Sequence, residues 1–288
     1  MSYLFLSILC SVTVGVLFKL ARRYQINITQ AITWNYFFAI ILSLICFKPD
    51  FNQANLNSFP KVYWALGFLL PSIFVFLGLS VRSAGLARTD IAQRLSLFIS
   101  LGAAYFLFNE RFDRYKEVAI VFGFAAIIFT MYRKSDRTSS KKSWLYLLLV
   151  FFGFGVVDVL FKMVSQNSVV PYTTSLFIIY CLAFLLSAIY LIYLVVSKKT
   201  KLQLVNFFCG CILGIFNFGN ILFYLNAHRE MSENPSTVFA AMNMGVIIAG
   251  SLIGIFVFRE RLSKWNYIGL TLALVSIILI TLSKIYAV

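Results

Sequence analysis

The chain alternates long apolar runs with short polar connections. Ten runs come close to the roughly 20 residues that a membrane-spanning helix needs: 3–20, 29–47, 61–81, 88–108, 115–132, 144–163, 172–196, 203–226, 235–258 and 265–284. The longest connections are 48–60, with Pro49, Pro60 and three Asn, and 133–143, rich in Ser and Lys. Neither leaves room for a soluble domain, and the second separates run five from run six. The first run has no charged segment before it, and its bases follow it. It therefore reads as the first membrane helix rather than a cleaved signal.

Two stretches recur. Phe108-Asn109-Glu110-Arg111-Phe112-Asp113-Arg114-Tyr115 closes run four and opens run five. Phe258-Arg259-Glu260-Arg261-Leu262-Ser263-Lys264-Trp265 does the same for runs nine and ten, 150 residues later. In each, Phe, Glu and Arg precede a helix-capping residue (Asp113, Ser263), a base and an aromatic. Val16-Leu17-Phe18-Lys19, ending run one, recurs as Val159-Leu160-Phe161-Lys162, ending run six, 143 residues on. A repeat of this period decides the architecture. Residues 1–134 and 143–288 each carry five runs, and five is odd, so the second half enters the membrane the other way up. The expected fold is an all-α integral membrane protein with ten transmembrane helices, built as two inverted five-helix repeats, a plan shared by many transporters. Inversion puts Glu110 and Glu260 on opposite membrane faces. The motif then reads as a clasp between helices four and five, and nine and ten, rather than one active site.

Composition points the same way. The 288 residues are 61% hydrophobic and 12% charged, against about 45–50% and about 25% in a soluble domain. The net charge of +15 does not argue for a nucleic-acid partner, because the bases form short clusters between runs: Arg22/Arg23, Arg133/Lys134/Arg137/Lys141/Lys142 and Lys198/Lys199/Lys201. Such clusters are topology signals. Connections after odd-numbered runs hold fifteen Lys and Arg, against eight for the even-numbered ones and the C-terminus. The positive-inside rule then places both termini outside. The five Cys are odd in number and outline no disulfide framework.

Polar residues inside spans are the site candidates, since they face the bundle interior or a water-filled cavity. Asp158 and Lys162 sit at i, i+4 in helix six, as a charge pair at a cavity or a local pair whose Lys snorkels. Lys19 is the repeat counterpart of Lys162, nearer a helix end. Gln93 and Arg94 lie in helix four, where Arg94 either pairs with Asp90 or offers its fork to a carboxylate or phosphate. Asn35, Asn217, Asn220 and Asn243 are neutral hydrogen-bonders in apolar surroundings, and Asn243 matches Gln93 at the 150-residue offset. Asn217, Asn220 and Tyr224 share one helix face. Tyr36, Tyr105 and Tyr224 supply aromatic walls. These residues either line a polar cavity or join helices by hydrogen bonds. Pro71 and several Gly fall in helices three and eight, where they either interrupt a moving helix or let helices pack closely. His228, the only His, sits in the connection before Pro235. No Ser-His-Asp set, metal cluster or Walker glycine loop appears, so no enzyme, catalytic residue, cofactor or metal is expected.

With its duplicated Glu-Arg pattern, and with Asn243-Met244-Gly245-Val246 ahead of the second copy and Gly269 beyond it, the chain resembles the drug/metabolite transporter superfamily, in its EamA-like branch. The first copy departs more, and Arg94 stands where relatives usually carry an uncharged residue. The resemblance implies a secondary transporter whose helices 1–4 and 6–9 line a central cavity, while helices 5 and 10 lie outside and form a homodimer. It also implies cytosolic termini, opposite to the charge count. The expected function is alternating-access transport of a small organic metabolite, amino-acid-like or otherwise polar or amphiphilic, across a bacterial inner membrane. Its partners are that small molecule and membrane lipids. The alternative is a flippase for a lipid or lipid-linked precursor.

Overall fold

A computed structural model describes residues 2–24, 26–47, 61–83, 86–130, 141–166, 171–257 and 264–286. Among them are eleven helices and no strand: α1 Ser2–Arg23, α2 Ile28–Phe47, α3 Lys61–Ser83, α4 Leu86–Leu95, α5 Leu97–Phe106, α6 Arg114–Thr130, α7 Lys141–Gln166, α8 Tyr172–Val196, α9 Leu204–Glu230, α10 Pro235–Phe256 and α11 Lys264–Tyr286. Six helical segments are long and apolar enough to cross a membrane: Ile28–Phe47, Lys61–Ser80, Ser143–Gln166, Tyr172–Val196, Leu204–Glu230 and Pro235–Phe256. Ser2–Leu17 and Lys264–Ile280 are shorter apolar helices. The fourth apolar run of the sequence becomes two helices, α4 and α5.

That break falls at Ser96, next to Gln93 and Arg94. The Ser96 hydroxyl donates to the Gln93 carbonyl at 2.6 Å, a local bond that competes with the helical ladder. The Ile99 amide then reaches back only three residues, to Ser96. Pro71, by contrast, does not interrupt its helix, because α3 runs through it. Membrane helices tolerate such a proline where neighbours satisfy the freed backbone groups.

Large apolar side chains such as Trp144, Phe152, Ile189, Ile192 and Ile278 point outward, as a bilayer requires. Inside, helices pack in pairs that correspond when the two halves of the chain are exchanged. The α2–α9 contact has its counterpart in α3–α8, and α1–α9 in α3–α7. The α1–α10 contact is matched by α7 against α4 and α5. The contacts between α2 and α8, and between α6 and α11, each map onto themselves. The α6–α11 pair stacks Phe129 on Trp265 with ring centroids 5.5 Å apart, and the Ser276 hydroxyl donates to the Ala119 carbonyl at 2.7 Å.

Close approach of α2 and α9 needs two glycines four residues apart. A Cβ on Gly210 would meet Trp34 Cβ, and the Ala31 carbonyl oxygen at 2.8 Å. A Cβ on Gly214 would lie 2.9 Å from both the Asn35 carbonyl oxygen and Phe38 Cβ. Small residues at this spacing let backbones touch in lipid, where packing rather than hydrophobic exclusion holds helices together. Gly210→Ala and Gly214→Ala should therefore each destabilise the protein by about 1–3 kcal/mol, the usual cost of overpacking. Gly250, with open space around it, should instead tolerate alanine or gain up to about 1 kcal/mol. Thermal unfolding of the three variants in detergent checks the contrast.

Candidate functional site

Several polar assemblies cross between the halves of the chain. The first lies at the end of the bundle where α5 stops. Asn109 takes a positive φ of 51°, which Asn tolerates better than most residues, and the turn delivers Glu110 inward. Glu110 is buried. Its Oε1 accepts from Lys116 Nζ at 2.7 Å and from the Ser236 hydroxyl. Its Oε2 accepts from the Ser236 amide at 2.8 Å. Lys116 Nζ also donates to Asn234 Oδ1 at 2.9 Å. Asp113 caps α6 by accepting from the Lys116 amide at 2.9 Å, in the role its position suggests. Asn234, at the N-cap of α10, makes no side-chain cap. Glu110 supplies that cap from the other half, and its negative charge sits against the positive end of the helix dipole. The clasp is therefore not confined to neighbouring helices. It ties the α5–α6 turn to the start of α10. The second copy, around Glu260, lies outside the described residues.

Lys162 belongs to the same end. It is buried, donates to the Ser232 carbonyl at 2.8 Å and lies 5.8 Å from the Phe108 ring centroid. It makes no ion pair with Asp158. The side chain of Lys19, its repeat counterpart, lies outside the described residues.

Deeper in the bundle, Asp158 of α7 is half-buried. Its two oxygens accept from the Tyr224 hydroxyl and the Ser100 hydroxyl, each at 3.1 Å. One turn beyond Tyr224, His228 ends α9 rather than lying in a connection. It is fully buried, edge-on to Tyr224 and Phe239 with centroids 4.7 and 4.8 Å away, and neither ring nitrogen has a hydrogen-bond partner. The Asn217 amide donates to Asn35 Oδ1 at 3.1 Å, joining α9 to α2. Asn220 accepts from Ser7 at 2.9 Å, joining α9 to α1. The shared face of Asn217, Asn220 and Tyr224 thus divides among three neighbours. Asn243 bonds its own helix, at the Phe239 carbonyl. Gln93 and Arg94 are half-buried on α4. Tyr105 stands apart, 53% exposed, its ring edge-on to Phe106 and Phe112.

Tyr36 is fully buried and its hydroxyl is unpartnered. The same holds for Tyr180 of α8, which sequence reasoning passed over. A signal for it was present. Gln30, Tyr36, Ala39 and Ser43 of α2 recur as Thr174, Tyr180, Ala183 and Ser187 of α8, 144 residues on, and all eight are buried. Also missed was an amide network at the opposite end of α9. There Gln30 Oε1 accepts from Asn206 Nδ2 at 2.8 Å, and Gln30 Nε2 donates to Thr200 and to the Lys201 carbonyl. Its counterpart across the halves is the Tyr63–Ser175 hydroxyl pair at 2.6 Å, between α3 and α8. Among the described residues no group of His, Cys, Asp or Glu could hold a metal ion.

Residues 141–282 match the model of the EamA-like transporter family. The whole chain is 39% identical over 296 residues, covering 100% of both sequences, to an uncharacterized protein of Haemophilus influenzae. A protein of known crystal structure shares the fold with a TM-score of 0.72 at 14% identity, over 97% of this chain and 95% of that one.

Removing Glu110 alone strands the Lys116 ammonium in a buried site and uncaps α10. Glu110→Ala should cost about 3–5 kcal/mol, as for other broken buried pairs. Adding Lys116→Met should recover a large part of that loss. A thermal-unfolding double-mutant cycle measures both.

Proposed function

The chain belongs to the EamA-like transporter family, and we propose that it is a secondary transporter working by alternating access. It is an integral, multi-pass membrane protein of the drug/metabolite transporter type. In our reading its halves, residues 1–134 and 143–288, are inverted five-helix repeats of a ten-helix protein in the bacterial inner membrane. The observation that carries this reading is the correspondence of helix contacts under exchange of the halves. Such an arrangement allows one half to rock against the other about a site between them.

The site we assign lies among α2, α4, α7, α9 and α10. The Asn35–Asn217 amide pair, Gln93, Asn220, Asn243, Asp158 and Tyr224 give it hydrogen-bonding capacity. Tyr36 gives an aromatic wall, and Arg94 a fork for an anionic group. Lys162 and Tyr105 serve its approaches. This lining suits a small metabolite with polar groups on an apolar body, amino-acid-like or similarly amphiphilic. The Glu110 clasp closes one end, because it holds the start of α10 to the α5–α6 turn. The packed pair α6 and α11 lies beside this core and serves as the surface for a second copy.

A flippase is the second reading. It is favoured by a groove of about 420 Å³ lined by Leu17, Leu20, Ile28, Val205, Ile212 and Leu213, where α1, α2 and α9 meet. An apolar groove of this kind accommodates an acyl chain.

A thermal-stabilisation screen of purified protein against metabolites tests the proposal, since a ligand at 100 times its dissociation constant adds about 2.7 kcal/mol. We expect at least one small polar metabolite to stabilise the protein. We expect Asn217→Ala and Tyr224→Phe to weaken that effect about tenfold or more in concentration, near 1.4 kcal/mol. Stabilisation by lipid-linked compounds alone, with lipid movement in liposomes, would select the flippase.

A further inference from the structure

Two acids, the buried Glu110 and the half-buried Asp158, differ in their partners. Glu110 is held by an ammonium, a backbone amide and the Ser236 hydroxyl, and the first two only donate and therefore suit a permanent anion. Asp158 is held by two hydroxyls, those of Ser100 and Tyr224. A hydroxyl donates or accepts as required. When Asp158 is ionised, both hydroxyls donate to it. When a proton adds to one carboxylate oxygen, the new O–H can donate to a hydroxyl oxygen, which rotates its own hydrogen elsewhere. Both states are served by the same geometry.

Among the described residues Asp158 has no ion-pair partner. Lys162, one turn along α7, is committed to Ser232. From α9 come Tyr224, which is bonded to Asp158, and His228. From α5 comes Ser100. From α4 comes Arg94, half-buried. On α3, Tyr63 is bonded to Ser175, and the side chain of Arg82 lies outside the described residues. From α8, Tyr180 has an unpartnered hydroxyl. Taking a proton from water removes the charge of a carboxylate that lies within a span. His228 stands one turn nearer the clasp, buried, with two unpartnered ring nitrogens.

We propose that Asp158 is the proton-binding site that couples transport to the pH gradient. This rests on the transporter reading above. The bond that forms is O–H on the Asp158 carboxyl, the proton comes from water, and no oxidant or co-reactant is needed. Protonation removes a charge from the bundle interior and so changes the relative stability of the closed and open arrangements.

The test uses the full chain in lipid bilayers with two readouts. An infrared pH titration follows the carbonyl stretch of a protonated carboxyl. Labelling of Thr237→Cys by a membrane-impermeant maleimide, in a cysteine-free background, reports opening at the clasp end, because Thr237 is buried behind it. We expect the infrared band to titrate within the physiological range, to vanish in Asp158→Asn and to persist in Glu233→Gln. The labelling rate should change severalfold with pH and lose that dependence in Asp158→Asn. Should Asp158→Asn not fold, Asp158→Glu must keep a titrating band and Tyr224→Phe must shift its midpoint. A band that does not titrate, or pH-dependent labelling that survives Asp158→Asn, overturns the proposal. Labelling that responds to a stabilising metabolite but not to pH overturns proton coupling alone. Labelling that responds to neither overturns the transporter reading as well.

Discussion

Hydrocarbon offers no hydrogen bonds, so each polar group inside this bundle must find its partner on another helix, on its own backbone or in a cavity. That constraint organises the structure. Asn217 meets Asn35, Asn220 meets Ser7, and Tyr63 meets Ser175. Each bond joins helices far apart in sequence, and the glycine-mediated approach of α2 and α9 brings the first within reach. The same constraint makes an unsatisfied group informative. An unpaired buried hydroxyl costs about 1–3 kcal/mol, so Tyr36, Tyr180 and His228 are expensive unless they meet water or solute during function.

The two ends of the bundle are held by different chemistry. At one end, neutral amides and hydroxyls of Gln30, Asn206 and Thr200 knit α2 to the start of α9. At the other, a charged clasp seats Glu110 on Lys116 and on the α10 N-terminus. Neutral hydrogen bonds are each modest, whereas a buried ion pair is costly to break one partner at a time. A pair that separates into water regains the hydration it lost on burial, so the clasp is suited to opening as a unit.

Much of this was legible in the chain because the signals were periodic. All ten apolar runs contain helix, the 150-residue repeat marked Glu110, and Asp113 caps α6 as its position suggests. What was not legible depended on three-dimensional partners. Asp158 and Lys162 have the spacing of a helical pair, yet Tyr224, Ser100 and Ser232 compete for them and win. Pro71 looked like the break, but Ser96 is, because its hydroxyl bonds back to Gln93. Glu110 was read as a local clasp, since nothing in its neighbourhood names Ser236. The 144-residue correspondence of α2 and α8 was present but weak, being carried by Tyr, Ala and Ser rather than by charges.

The central claim is that the Glu110 clasp is the closed state of a gate between two halves. Spin labels at the exposed positions Arg111 and Glu233, on either side of the clasp, allow its opening to be measured by pulsed electron resonance in lipid nanodiscs. The account predicts two distance populations whose ratio shifts with pH and with a stabilising metabolite, and a shift toward the longer distance in Glu110→Gln. A single narrow distribution, unchanged by pH, metabolite or Glu110→Gln, would contradict it.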